Sequence, residues 1–196
     1  LGGRHVIAVS SGTAALHLAL DSLGVKPGDE VILPSLTFCS CPQVVAQTGA
    51  KPVFCEISDQ TLTIDVSDVR KCLSRKTRAI MPVHFCSAVC DMASLQEIAQ
   101  DHGVAIVEDA AHAFGCSYQG ALIGSFGDIT CFSFDPIKNI TCGEGGAIVL
   151  SDSELAEKMS RKRMVGIDRD GWKRSQEGWG YGYAVTTQGF RYHMSN

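Results

Sequence analysis

Cys131-Phe132-Ser133-Phe134-Asp135-Pro136-Ile137-Lys138-Asn139-Ile140-Thr141-Cys142-Gly143-Glu144-Gly145-Gly146 is the stretch on which the reading of this chain turns. It sets one lysine, Lys138, in a short polar loop. Strand-like runs at 128–134 and 146–150 straddle that loop, and a glycine-rich turn follows the lysine. A lysine held between strands can be desolvated, which lowers its pKa and makes the amine a nucleophile toward carbonyls. That is the chemistry of an internal Schiff base. The ordinary alternative is a solvated lysine in a hairpin loop, so the rest of the chain has to decide between them.

Upstream, apolar runs alternate with helical patterns. Val6 to Val9, Glu30 to Leu33, Pro52 to Ile57, Ala79 to Val83 and Val104 to Val107 read as strands. Helices are expected from Ala14 to Leu23, over 40–48, from Ser67 (as cap) to Leu73, from Met92 to His102 and from Ser153 to Met164. Strands alternating with helices imply a three-layer α/β/α architecture around a mostly parallel mixed sheet. In such sheets ligands gather beyond the carboxyl ends of the strands. Ser11-Gly12-Thr13, Thr37-Phe38, His84, Asp109 and His112 all follow predicted strands.

Bulk properties narrow the function. The chain has 196 residues, 45% of them hydrophobic, with 17 basic and 21 acidic side chains. No basic patch dominates, which argues against nucleic acid as a partner. No apolar run approaches the length of a membrane span. The nine cysteines have irregular spacings and no CxxC pair, so no metal site is expected. Most sit in apolar runs and read as buried free thiols in a reducing, cytoplasmic setting.

Ser11-Gly12-Thr13 opens a helix directly after a strand. Free N–H groups and the helix dipole there suit an anion, and glycine allows close approach. The same residues also suit a plain N-cap. Asp109 ends an apolar strand and could pair with a protonated heteroaromatic nitrogen, or simply cap a helix. Phe38 could stack on a ring or belong to the core. A phosphate cradle, a carboxylate, a stacking group and a Schiff-base lysine together suit pyridoxal 5'-phosphate. Here they occur in that order, with Ser133 five residues before the lysine.

At this point the chain resembles the DegT/StrS family of pyridoxal-phosphate-dependent sugar-nucleotide aminotransferases, of aspartate-aminotransferase fold type I. The resemblance spans 5–196. It rests on SSGTAALHLAL at 10–20, GDEVILPSLTF at 28–38, PVHF at 82–85, VEDAAHAFG at 107–115, GDITCFSFDPIKNITCGEGG at 127–146 and GFRYHM at 189–194. It implies that Lys138 carries the cofactor and shuttles a proton. It implies that Asp109 pairs with the pyridinium nitrogen and that His112 lies near the 3-hydroxyl. Gly12, Thr13 and Ser133 would hold the phosphate, and Phe38 would stack on the ring. The implied substrates are an amino donor, commonly glutamate, and a nucleotide-linked keto-sugar, and the implied assembly is a homodimer.

This chain departs from the family at Asp135, where histidine is frequent, and at Phe85-Cys86-Ser87, where Leu-Tyr-Gly is frequent. Both departures bear on the substrate side. Family members are close to twice this length. On this reading, residues 1–165 form a cofactor-binding large domain lacking its N-terminal part. Residues 166–196 form a flap or linker toward an absent small domain, so the isolated piece is expected to be weakly active or inactive. A targeting signal upstream of Leu1 is left open. Two other readings are a desulfurase- or decarboxylase-like enzyme of the same fold type, and a non-catalytic sensor or scaffold. The GEGG tail disfavours the first. The intact Lys138, Asp109 and phosphate cradle disfavour the second.

Overall fold

The structure is a computed structural model that describes residues 1–168 and 183–195. Seven strands form the main sheet: β1 (His5–Val9), β2 (Glu30–Pro34), β3 (Lys51–Cys55), β4 (Thr77–Ile80), β5 (Ala105–Asp109), β8 (Ile129–Ser133) and β9 (Gly146–Leu150). Their order is β1-β9-β8-β5-β4-β2-β3. β9 pairs antiparallel with both β1 and β8, and every other pairing is parallel. One reversed strand in an otherwise parallel sheet is the mixed sheet expected from the alternating pattern. A separate hairpin, β6 (Ser117–Tyr118) with β7 (Ala121–Leu122), was not anticipated, because two-residue strands are too short to show a period.

Helices cover both faces. α1 (Gly12–Ser22) lies across β9, β8 and β5, and α2 (Ser40–Gln47) packs beside it. α5 (Ser153–Arg163) packs against α1 and β1. α3 (Val66–Cys72) and α4 (Met92–His102) lie on the other face, on a cluster built from Ile32, Ile80, Ile106, Leu95 and Ile98. α1 is buried on nearly every side, from Ala14 through Leu20. Its alanines let it sit close to the sheet, while Leu16, Leu18 and Leu20 fill the first core. Full burial of each leucine contributes roughly 1.5–3 kcal/mol.

Local chemistry explains several boundaries. Asp65, rather than Ser67, caps α3: its carboxylate accepts from the Ser67 N–H at 2.7 Å. β4 stops at Ile80 rather than Val83, but Val83 still forms a parallel bridge with Asp109. The thiols divide. Cys41, Cys55, Cys90 and Cys131 are buried, Cys72 and Cys116 partly so, and Cys39, Cys86 and Cys142 are exposed. Cys39 is the N-cap of α2, Cys86 lies in the 3-10 turn Phe85–Ser87 and Cys142 in the lysine loop, where apolar neighbours in sequence do not guarantee burial. No helix among the described residues is long and apolar enough to cross a membrane.

The 183–195 segment returns across α5 and α1. Tyr192 donates its N–H to the Arg163 carbonyl and accepts the Ser10 N–H through its own carbonyl. Its ring stacks on Phe190 at 4.9 Å, and its hydroxyl meets His17 Nδ1 at 2.9 Å. Tyr183 and Arg191 also lie among the described residues. Trp172, Trp179 and Tyr181 lie outside the described residues.

Candidate functional site

The carboxyl ends of β1, β5 and β8 open on one cavity of about 390 Å³. All seven residues proposed from the sequence line it: Gly12, Thr13, Phe38, Asp109, His112, Ser133 and Lys138. They come from segments separated by as many as 126 positions in the chain, from Gly12 to Lys138. The parallel sheet brings them together, because its strand ends share one edge.

α1 opens at Gly12 against the end of β8. A Cβ at Gly12 would stand 2.8 Å from Ser133 Cβ, so only glycine permits this approach. Ser11 caps the helix through its hydroxyl, which accepts the Ala14 N–H at 3.0 Å. The Gly12 and Thr13 N–H groups precede the first intrahelical acceptor and have none within the helix. Thr13 is exposed, and Ser133 is buried below it. This corner offers amide and hydroxyl donors at the positive end of a helix dipole, a donor set that fits a phosphate.

Opposite lies the lysine loop, 134–145. An Asp135 turn shapes it: the carboxylate accepts the Ile137 N–H at 3.0 Å, and the Asp135 carbonyl accepts the Lys138 N–H at 3.0 Å. Asn139 donates to the Phe114 carbonyl at 2.7 Å and holds the loop against the EDAAHA turn. Lys138 Nζ reaches 3.1 Å from His112 Nε2. Burial, and then the charge of Lys138, pull the His112 pKa below its ordinary value. The Cys86 N–H donates to Nδ1 at 3.4 Å, so the neutral ring carries its hydrogen on Nε2, facing the lysine amine.

Asp109 sits between these walls and is only 5% exposed. Its Oδ1 accepts the Ala111 N–H at 3.0 Å, and its Oδ2 accepts the Cys41 thiol at 3.0 Å. The open lone pairs of the carboxylate can take a protonated ring nitrogen. Phe38 is 69% exposed on the rim, with its ring free to cover a flat ligand. Ile137 is 86% exposed beside it. Phosphate donors, an acceptor for a heteroaromatic N–H, an aromatic rim and an amine thus surround one space, and these residues fit pyridoxal 5'-phosphate.

Sequence reasoning did not pick out Cys41 or Glu144, and it noted His84 as a residue following a strand without giving it a role. Glu144 and His84 line the cavity with the rest. Cys41 lies behind it. The available signal for Cys41 was its place three residues after Phe38, on the same first turn.

Residues 1–196 match the model of the DegT/DnrJ/EryC1/StrS aminotransferase family. The spore coat polysaccharide biosynthesis protein SpsC of Bacillus subtilis is 42% identical over 194 residues, covering 99% of this chain and 50% of that protein. DesV of S. venezuelae, solved with a ketimine intermediate, superposes with a TM-score of 0.89 at 40% identity, over 98% of this chain and 49% of that one. NtdA of Bacillus subtilis, solved with bound PMP, gives 0.85 at 33% identity, over 97% of this chain and 41% of that one. The chain spans about half the length of the curated relatives it matches.

Proposed function

This chain belongs to the DegT/DnrJ/EryC1/StrS aminotransferase family, and from that we propose that it is the cofactor-binding part of a pyridoxal-phosphate-dependent aminotransferase that acts on a keto-sugar carried by a nucleotide. Glutamate is the proposed donor. The observation that carries the reading is the convergence of Lys138, His112, Asp109 and the opening of α1 on a single cavity. The relatives' sugar aminotransferase and polysaccharide roles point the same way.

When bound, pyridoxal 5'-phosphate supplies an electron sink for the carbon that gains or loses the amino group. Lys138 would hold it covalently through Nζ, and the freed amine would then move a proton at that same atom. His112 meets Nζ through its Nε2 at 3.1 Å and aims the amine across the cavity. Asp109 offers an anion to the ring N–H from a nearly dry position, where such a pairing is stronger than in water. Gly12, Thr13 and Ser133 would take the phosphate. Phe38 would cover one ring face and exclude water from it.

Residues 166–196 would lead from the large domain into the remainder of the protein. A second copy of the protein is the proposed partner across the exposed rim at Phe38 and Ile137.

The test uses the full-length protein. Added pyridoxal phosphate should give a yellow absorbance band, and borohydride should fix the cofactor to the peptide containing Lys138. Amino transfer from glutamate should then appear with some member of a panel of nucleotide-linked 3- and 4-keto sugars. A colourless protein would sink the enzyme reading. A colour that survives Lys138→Ala and can still be fixed by borohydride would sink the lysine assignment.

A further inference from the structure

We propose that Cys41 is a positioning residue for Asp109, its buried thiol tying the turn that carries Phe38 to the strand end that carries Asp109. The proposal rests on the functional reading above. It concerns a residue that touches neither the cavity nor any reacting atom.

The geometry is specific. Cys41 Sγ donates to Asp109 Oδ2 at 3.0 Å, well inside the usual reach of a sulfur hydrogen bond, and Cys41 is fully buried. The partners are 68 residues apart in sequence and belong to different elements, α2 and β5. The other oxygen, Oδ1, is taken by the Ala111 N–H at 3.0 Å. Each oxygen of Asp109 therefore has one donor, one on the α2 side and one in the turn after β5. Two donors from two directions leave the carboxylate little rotational freedom. Its remaining lone pairs stay on the cavity side.

The same thiol sets a spacing. The Cys41 N–H donates to the Phe38 carbonyl at 3.1 Å, so both residues share one turn at the start of α2. Holding that turn against Asp109 fixes the separation between the group that would cover a ring and the group that would pair with its nitrogen. Burial and the neighbouring carboxylate push the Cys41 thiol well above its ordinary pKa, so it stays protonated and remains a donor. The structure gives it no role as a nucleophile.

Two measurements on the full-length protein decide the matter. The first is cofactor-free: the infrared S–H stretch lies in a window clear of other protein bands. Wild type minus Cys41→Ser should show a red-shifted S–H band, and Asp109→Asn should move it. A difference band at the position of an unbonded thiol overturns the tie. The second is pyridoxal phosphate affinity, read by absorbance titration. Cys41→Ala and Cys41→Val should each weaken binding about five- to tenfold, the loss of one ordinary hydrogen bond. Cys41→Ser, which restores a donor, should lie within about threefold of wild type. Wild-type affinity in Cys41→Ala, or rescue by Val as complete as by Ser, overturns the proposal in favour of packing. If wild type itself binds no pyridoxal phosphate, the functional reading fails and takes the positioning role with it. The infrared band then still reports whether the thiol and carboxylate are bonded, so the two failures are separable.

Discussion

Glu108 and Asp109 are neighbours on β5, and the two sides of the sheet use them in opposite ways. Alternation along the strand sends Glu108 toward the α4 side and Asp109 toward α1 and α2. Glu108 is fully buried in a closed arrangement. Its Oε1 accepts from Thr130 Oγ1 at 2.9 Å, and its Oε2 pairs with His84 Nε2 at 3.1 Å. The Cys90 N–H donates to His84 Nδ1 at 3.3 Å, which places the imidazole hydrogen on Nε2, facing Glu108. Asp109 has two donors as well, but it also faces open space. A polar group whose partners are all within the protein holds shape. One with lone pairs turned to a cavity has capacity left for a ligand. The backbone links the two sides, since the His84 N–H donates to the Asp109 carbonyl at 3.0 Å.

That contrast predicts opposite responses to mutation. The largest effect is on the open side. Lys138→Ala should abolish borohydride-fixable attachment of the cofactor, yet leave the thermal midpoint of the cofactor-free protein within about 2 °C, as for a partly exposed loop substitution. A large fall in that midpoint would show that the loop is part of the scaffold. On the closed side the outcome should reverse. Glu108→Ala leaves a buried hydroxyl and a buried imidazole N–H without partners and should cost about 3 kcal/mol in urea unfolding. A loss below about 1 kcal/mol would dissolve the distinction between the two acids.

Smaller tests follow. Gly127 has φ +76, and a Cβ there would meet Glu108 Oε1 at 2.6 Å. Gly127→Ala should therefore destabilise by about 1–3 kcal/mol with no direct effect on the cavity. The smallest effect expected is a pH dependence. Burial holds the pKa of His17 below its ordinary value, so the folded state disfavours its protonation. The resulting stability is complete above the unfolded pKa of about 6.5 and is lost as pH falls from there toward the depressed folded value. His112 shifts in the same direction. His17→Gln should flatten the slope of midpoint against pH in that window, and an unchanged slope would assign it to other groups.

Much of this molecule was legible in its sequence. The alternating runs anticipated the layered fold, and Gly103 does end α4 in the left-handed conformation expected of a C-cap glycine. The seven candidate residues all reach one cavity, because their positions after strands put them at one edge of the sheet. What stayed hidden was long-range. The position of β1 at the far edge, beside β9, has no local signature. Neither has the contact between Cys41 and Asp109, nor the enclosure of Glu108 by His84 and Thr130. Ser67 looked like a cap because serine favours that role, but Asp65, two residues earlier, reaches the Ser67 N–H itself.

The reversed strand has a practical consequence. β8 and β9 are paired residue for residue from Ile129 with Leu150 to Ser133 with Gly146, so both ends of the lysine loop are anchored by a rigid ladder. Its tip can be lengthened, shortened or exchanged without re-registering a helix or shifting the rest of the sheet. For anyone redesigning this protein, the reach of Lys138 is thus an adjustable part, mounted on a frame that need not be rebuilt.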